Sequence, residues 1–250
     1  MNRRPKSLEG KVALVTGGSR SLGAAIAKWL AGDGAAVALT YSASPDKAED
    51  VVREIEAKGG KAVAIKADAA SADATRAAVA KTAESFGGID ILVNNAGVLA
   101  IAPIEKFSIE DFDRMLAVNI RGLFVATQEA ARRMRDGGRI IHIGSCNSDR
   151  IPFGGASVYA LTKGAVAAFT KGLARDLGPR RITVNNVQPG PTDTDMNPAV
   201  GEFADMNRSF TALGRYAKPE EVASLVAYLA TPEAAYISGA SLLVDGGFTA

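Results

Sequence analysis

Tyr159 and Lys163, four residues apart in the run Tyr159-Ala160-Leu161-Thr162-Lys163, carry the first chemical hint. On a helix that spacing places phenol and ammonium on one face. An ammonium beside a phenol favours the phenolate and draws down a pKa that starts near 10. A tyrosine brought toward neutrality in this way serves as a general acid or base. Tyr-x-x-x-Lys alone is common on helices, so the pair takes its meaning from its company. That company is Ser145, fourteen residues before Tyr159, together with Asn119 and the run Asn94-Asn95-Ala96-Gly97.

A second cluster near the start of the chain would handle phosphate. The apolar run Val12–Val15 leads into Thr16-Gly17-Gly18-Ser19-Arg20-Ser21-Leu22-Gly23, after which a helical pattern begins at once. A tight strand-to-helix turn uses glycine for unusual dihedrals and for close approach of backbone to a ligand. The helix that follows presents free N–H groups and a positive dipole end to a pyrophosphate. Ser21 stands where a further glycine would be expected, so that point of the turn must tolerate a Cβ. About 20 residues on, an NAD site places a carboxylate for the ribose 2′-hydroxyl, whereas an NADP site leaves room and positive charge. The run Leu39-Thr40-Tyr41-Ser42 has no acid, and none follows until Asp46. Arg20, Tyr41 and Ser42 are placed instead to donate to a 2′-phosphate, so NADP(H) is expected over NAD(H).

These residues need a scaffold, and hydrophobic periodicity supplies one. Seven short apolar runs read as strands: 12–15, 36–39, 62–65, 89–93, 139–143, 182–187 and 241–244. Between them lie helical patterns at 24–30, 48–57, 74–86, 112–134, 158–177 and 220–229. Strands apolar throughout suit a parallel sheet with helices on both faces, and repeated β-helix-β units give a doubly wound α/β fold. With no linker, repeat or composition break, residues 1–250 read as a single domain. The regularity fails between Pro189 and Lys218, which is expected to form a substrate lid at about 190–217.

Composition narrows the classes further. The 250 residues are 47% hydrophobic and 22% charged, ordinary for a globular chain. Twenty-nine Lys and Arg against 27 Asp and Glu leave +2, too balanced for a nucleic-acid partner. One cysteine and one histidine exclude a disulfide framework and argue against a metal site. The basic residues Arg3, Arg4 and Lys6 precede no apolar stretch before Lys11, and no run has membrane-spanning length. A cytoplasmic protein without a membrane partner is expected. His142, inside an apolar strand, reads as structural; Cys146 lacks a partner for thiol chemistry; and Ser148 fits the spacing to Tyr159 less well than Ser145. Arg132, Arg133, Arg135, Arg180 and Arg181 read as a solvated face, with a dock for an acidic carrier protein as the sharper alternative.

Taken together, the turn Thr16–Gly23, Asp68, Asn94–Gly97, Asn119, Ser145, Tyr159 with Lys163, Pro189-Gly190 with Thr192, and Val244-Asp245-Gly246-Gly247 resemble the short-chain dehydrogenase/reductase family. The resemblance covers nearly everything from Leu8 to Phe248 and looks nearest to the 3-oxoacyl-carrier-protein reductase-like branch. It implies a Rossmann-type fold in which Tyr159 passes a proton to or from the substrate oxygen. Lys163 would lower the tyrosine pKa and bond the nicotinamide ribose, Ser145 would polarise the carbonyl, and Asn119 would hold a relay water. Cofactor contacts would come from Gly17, Ser19, Arg20, Ser21, Leu22 and Gly23. Asn95, Ala96 and Gly97 would line the adenosine ribose, and Asp68 and Ala69 the adenine. Pro189, Gly190 and Thr192 would place the carboxamide. Hydride transfer between NADP(H) and a carbonyl substrate follows, either an acyl thioester or a free ketone; a non-catalytic dinucleotide sensor is the other class. Family members usually form tetramers, and Gly122, Ala126, Ala130, Ala165 and Ala168 are small enough for close helix pairing.

Overall fold

The computed structural model describes residues 7–250, so Arg3, Arg4 and Lys6 lie outside the described residues. Seven strands form one sheet: β1 (Val12–Val15), β2 (Ala36–Tyr41), β3 (Lys61–Lys66), β4 (Ile89–Asn94), β5 (Met134–Ile143), β6 (Thr183–Pro189) and β7 (Ser241–Val244). Their spatial order is β3-β2-β1-β4-β5-β6-β7, and every neighbouring pair is parallel. The winding reverses between β1 and β4, and the carboxyl ends of these strands open the crevice where such sheets bind ligands.

Alternation within the strands sends side chains to two cores. Ala13 and Val15 pack with residues of α1 (Ser21–Gly32), α2 (Pro45–Ala57) and α8 (Pro219–Ala230). Leu14, Leu92 and Ile140 face the other way, toward α3 (Ala72–Phe86), α5 (Leu123–Arg133) and α6 (Ser157–Leu177). Each fully buried Val, Leu or Ile side chain contributes about 1.5–3 kcal/mol of apolar transfer. A sheet covered on both faces explains the continuous apolar runs.

Three elements differ from the periodicity. The helix expected over 112–134 consists of α4 (Ile109–Met115), a π-helical turn (Leu116–Gly122) and α5, joined without a break in helical backbone. An apolar pattern registers a helix but not one widened turn within it. Strand β5 begins five residues early because Ile89 pairs with Met134 and Ile91 with Arg139, which bulges Arg135–Gly138 outward. The irregular segment after β6 contains α7 (Glu202–Phe210) and is closed at its base by pairing of Thr192 with Ala217. Among the small residues expected to pair helices between subunits, Ala126 and Ala130 are buried inside this chain. A Cβ on Gly122 would sit 2.2 Å from the Ala69 carbonyl oxygen, so that glycine serves an internal contact. Ala165 and Ala168 stay exposed. No described helix is long and apolar enough to cross a membrane.

Candidate active site

The glycine turn is held by part-buried hydrogen bonds to neighbouring strands rather than by its own sequence alone. The Gly17 N–H donates to Thr40 Oγ1 at 2.9 Å. Thr16 Oγ1 accepts from the N–H groups of Asn95 (3.0 Å) and Ala96 (3.1 Å). Asn95 Nδ2 answers by donating to the carbonyls of Thr16 (3.0 Å) and Gly17 (2.9 Å). The ends of β1, β2 and β4 are thereby tied into one rigid platform. Gly17 has φ +64°, and a Cβ on Gly23 would lie 2.2 Å from the Gly17 carbonyl oxygen. Helix α1 has no side-chain cap and no acid in its first turn, which leaves its N–H groups for an anion. A bare backbone cradle at a helix N-terminus fits a dinucleotide pyrophosphate.

The cradle forms one end of a cleft of about 900 Å³. Ser19, Arg20, Ser21 and Leu22 line it at the turn, Tyr41 and Ser42 beyond β2, Asp68 and Ala69 after β3, and Asn95–Gly97 after β4. Asp46, the first acid after β2, is exposed in the first turn of α2 and is not part of the lining. The far end receives Pro189, Gly190 and Thr192. Gly190 is pressed so closely on Asp245 that a Cβ would lie 2.6 Å from its Cα. Every residue expected to contact the cofactor thus reaches one cavity.

Ser145, Tyr159 and Lys163 line the same cleft. Ser145 caps a short 3₁₀ turn by accepting from the Asn147 N–H at 3.1 Å. Burial pushes the Tyr159 phenol up to about 12, with the adjacent Ser145 hydroxyl offsetting part of the rise. This corrects the expectation that Lys163 draws that pKa toward neutrality. The Lys163 ammonium donates to the Ile143 carbonyl at 2.8 Å and stands 5.7 Å from the tyrosine ring centroid, so it faces the ring rather than pairing with its oxygen. Burial also pulls Lys163 down to about 8. Tyr159 is therefore a neutral phenol near pH 7, the form that gives a proton.

Asn119 occupies the π-helical turn, a widening often found at functional sites. Its side chain does not point a free group at a relay water. Oδ1 accepts the Val98 N–H at 2.9 Å, while Nδ2 donates to the Val98 carbonyl (2.9 Å) and Thr162 Oγ1 (3.2 Å). That amide positions the loop after β4 against the helix carrying Tyr159. Thr162, which sequence reading passed over, also donates to the Tyr159 carbonyl at 2.8 Å. Its place between Tyr159 and Lys163 was the available signal. Thr16 and Thr40 were missed as clamps because their partners lie 23 to 80 residues away.

The remaining candidates are structural. His142 is fully buried, held near 3 by desolvation and by the Lys163 charge, with Asn94 Nδ2 3.1 Å from its Nδ1. Cys146 is buried with its thiol pushed up to about 12, mainly by desolvation, so no thiolate is available. Ser148 donates to the Ser145 carbonyl at 2.8 Å and receives Gln188 Nε2, shaping the loop. Arg132 and Arg133 pair with Glu129, Arg135 with Asp90, and Arg180 with Asp136.

The lid has its own polar core. Asn207 Nδ2 donates to the Tyr216 hydroxyl at 3.0 Å, which in turn donates to Asn197 Oδ1 at 3.0 Å, and the Arg208 guanidinium lies 5.6 Å above the Tyr216 ring. Phe203 of α7 meets Phe153 edge-on at 5.7 Å across the cleft mouth.

The fold and the site together define an oxidoreductase built on a dinucleotide cleft, and the comparisons agree. Residues 17–249 match the family model described as Enoyl-(Acyl carrier protein) reductase. A short-chain dehydrogenase/reductase from Serratia marcescens is 62% identical with a TM-score of 0.97, over 98% of this chain and 100% of that one. A short-chain dehydrogenase from Burkholderia cenocepacia in complex with NADP is 54% identical with a TM-score of 0.96, over 98% and 100%. The cyclic-di-GMP-binding biofilm dispersal mediator protein of Escherichia coli K12 is 46% identical over 96% of this chain and 98% of that protein. The chain belongs to the short-chain dehydrogenase/reductase family.

Proposed function

We propose that this protein is a cytoplasmic NADPH-dependent reductase of uncharged ketones, reversible as an alcohol dehydrogenase. The observation that carries the reading is the convergence of the Ser145 hydroxyl and the neutral Tyr159 phenol on a cleft that begins at a bare pyrophosphate cradle. Reducing a carbonyl needs a hydride at carbon, which a bound dihydronicotinamide supplies, and a proton at oxygen. Tyr159 gives the proton, and Ser145 donates a hydrogen bond to the same oxygen as negative charge develops there. Lys163 lines the same cleft, held in place by the Ile143 carbonyl, where its ammonium would bond the nicotinamide ribose. Preference for NADP(H) is supported by the acid-free wall at Tyr41 and Ser42, by Arg20 in the lining, and by the NADP complex of the Burkholderia neighbour.

A free ketone is favoured over a carrier-bound 3-oxoacyl thioester. Four of the five arginines expected to steer an acidic carrier, Arg132, Arg133, Arg135 and Arg180, are paired within the chain near the amino ends of β5 and β6, whereas the cleft opens at the carboxyl ends. The substrate end is walled by Ile101, Phe153, Met196 and Phe203, which suits an apolar or aromatic substituent. A second reading is cyclic-dinucleotide binding, as the name of the Escherichia coli relative suggests; a cleft with Arg20 at its phosphate end supports it. Assembly as a homotetramer is supported by the exposed Phe124 and Leu161, beside Ala165 and Ala168 on α6.

The test follows NADPH oxidation by absorbance with an aryl ketone, a neutral β-ketoester and acetoacetyl thioester. Turnover of the first two with little on the thioester is expected. Thioester preference overturns the free-ketone reading, and displacement of NADPH by cyclic-di-GMP without any turnover favours the second.

A further inference from the structure

The lid and the glycine turn meet at one charged contact that lies inside the dinucleotide cleft. Asp195 Oδ2 is 3.2 Å from Arg20 Nη1 and 3.3 Å from Lys47 Nζ. Its backbone N–H donates to Ser21 Oγ at 3.1 Å. Ser21 is one of two non-glycine residues with positive φ among the described residues, at +48°. The side chain that replaces the expected glycine therefore receives the lid. Burial acts to raise the Asp195 carboxyl, but Lys47, Arg20 and Ser21 together hold it below the ordinary carboxylate value.

The place matters as much as the partners. Lys47 lies in the first turn of α2, directly beyond the Tyr41–Ser44 wall, and Arg20 is the residue of the glycine turn that precedes α1. Between them is the position that faces a ribose 2′-substituent at the end of the second strand. The two cations there are both engaged by a carboxylate that belongs to the lid.

We propose that Asp195 is a cofactor-specificity residue acting as an internal stand-in for the cofactor's 2′-phosphate. It holds the lid to Arg20 and Lys47, and a 2′-phosphate entering the cleft must displace it. A cofactor without that phosphate leaves the latch closed. This inference rests on the NADP(H) reading above and adds that the lid competes with the phosphate. The contact is about half exposed on both sides, where ion pairs are individually weak and readily exchanged. That suits a latch that a doubly charged phosphate opens.

The test is calorimetric binding of NADPH, NADH, 2′,5′-ADP and 5′-AMP to the whole protein without substrate. Asp195→Asn is expected to tighten NADPH and 2′,5′-ADP by about three- to tenfold while leaving NADH and 5′-AMP unchanged. Ser21→Gly removes the uncharged part of the contact and is expected to shift the NADPH-to-NADH affinity ratio less than Asp195→Asn does. If Asp195→Asn alters NADPH and NADH equally, weakens both, or changes neither, the competition does not exist. A ratio shifted by Ser21→Gly as far as by Asp195→Asn also overturns it, because charge would not be the cause. If the unaltered protein binds NADH as tightly as NADPH, or neither of them, the cofactor reading itself fails.

Discussion

The glycine turn and the lid face each other across one cleft, yet they are built in opposite ways. The turn is fastened by part-buried hydrogen bonds that join the ends of three strands through Thr16, Thr40 and Asn95. The lid has a separate core around Tyr216 and touches the turn through exposed charges at Asp195. Stranding a buried donor or acceptor costs about 1–3 kcal/mol, whereas an exposed ion pair contributes about 0–1 kcal/mol. The contrast separates a fixed template, which sets where cofactor atoms lie, from a cover that exchanges partners. Binding precision belongs to the first and substrate entry to the second.

The largest expected effect comes under acid, in β5, the strand that leads to Ser145. His142 is neutral in the fold, with its pKa depressed from 6.5 to about 3. The unfolded chain therefore takes up the proton first, and the stability associated with the neutral ring is complete above pH 6.5 and lost as pH falls toward about 3. At about 1.36 kcal/mol per tenfold change in proton affinity, this amounts to roughly 5 kcal/mol. Equilibrium unfolding across that range should show the slope, and His142→Gln should flatten it. An unchanged slope would move the acid sensitivity elsewhere.

Next in size is the template itself. Gly23→Ala forces a methyl group against the Gly17 carbonyl, an overpacking cost of about 3 kcal/mol, or roughly a hundredfold in dinucleotide affinity. Titration with NADPH measures it, and near-normal affinity would mean that the turn is as adaptable as the lid. A smaller effect is expected on the lid side. Phe203→Ala removes the edge-to-face contact with Phe153, worth about 0.5–1.5 kcal/mol. KM for an aryl ketone should rise about two- to tenfold with NADPH affinity unchanged. A matching loss of NADPH affinity would join the two regions into one.

Much of the turn side was legible in sequence because its signals are local. Glycines stand directly after a strand, Tyr159 and Lys163 lie one helical turn apart, and an absent acid after β2 is visible by inspection. The lid was legible only as a gap in periodicity. Its latch joins Arg20 to a residue 175 positions away, and Lys47 carries no local mark of belonging to a site. The tyrosine chemistry was half legible. Spacing showed that Lys163 shares a face with Tyr159, but not that the ammonium would bond Ile143 and leave burial to dominate the phenol. Asn119 was found by pattern, while its role depended on a π-helical turn that no apolar period reports.

The central claim, that a neutral Tyr159 phenol supplies the proton on a template that binds cofactor independently, is tested most directly by Tyr159→Phe. The measurement pairs single-turnover reduction of an aryl ketone with calorimetric binding of NADPH. The account predicts a roughly 10²–10⁴-fold loss of reduction rate, with NADPH affinity within about twofold of the unaltered protein. Retained reduction, or loss of cofactor binding in step with activity, would contradict it.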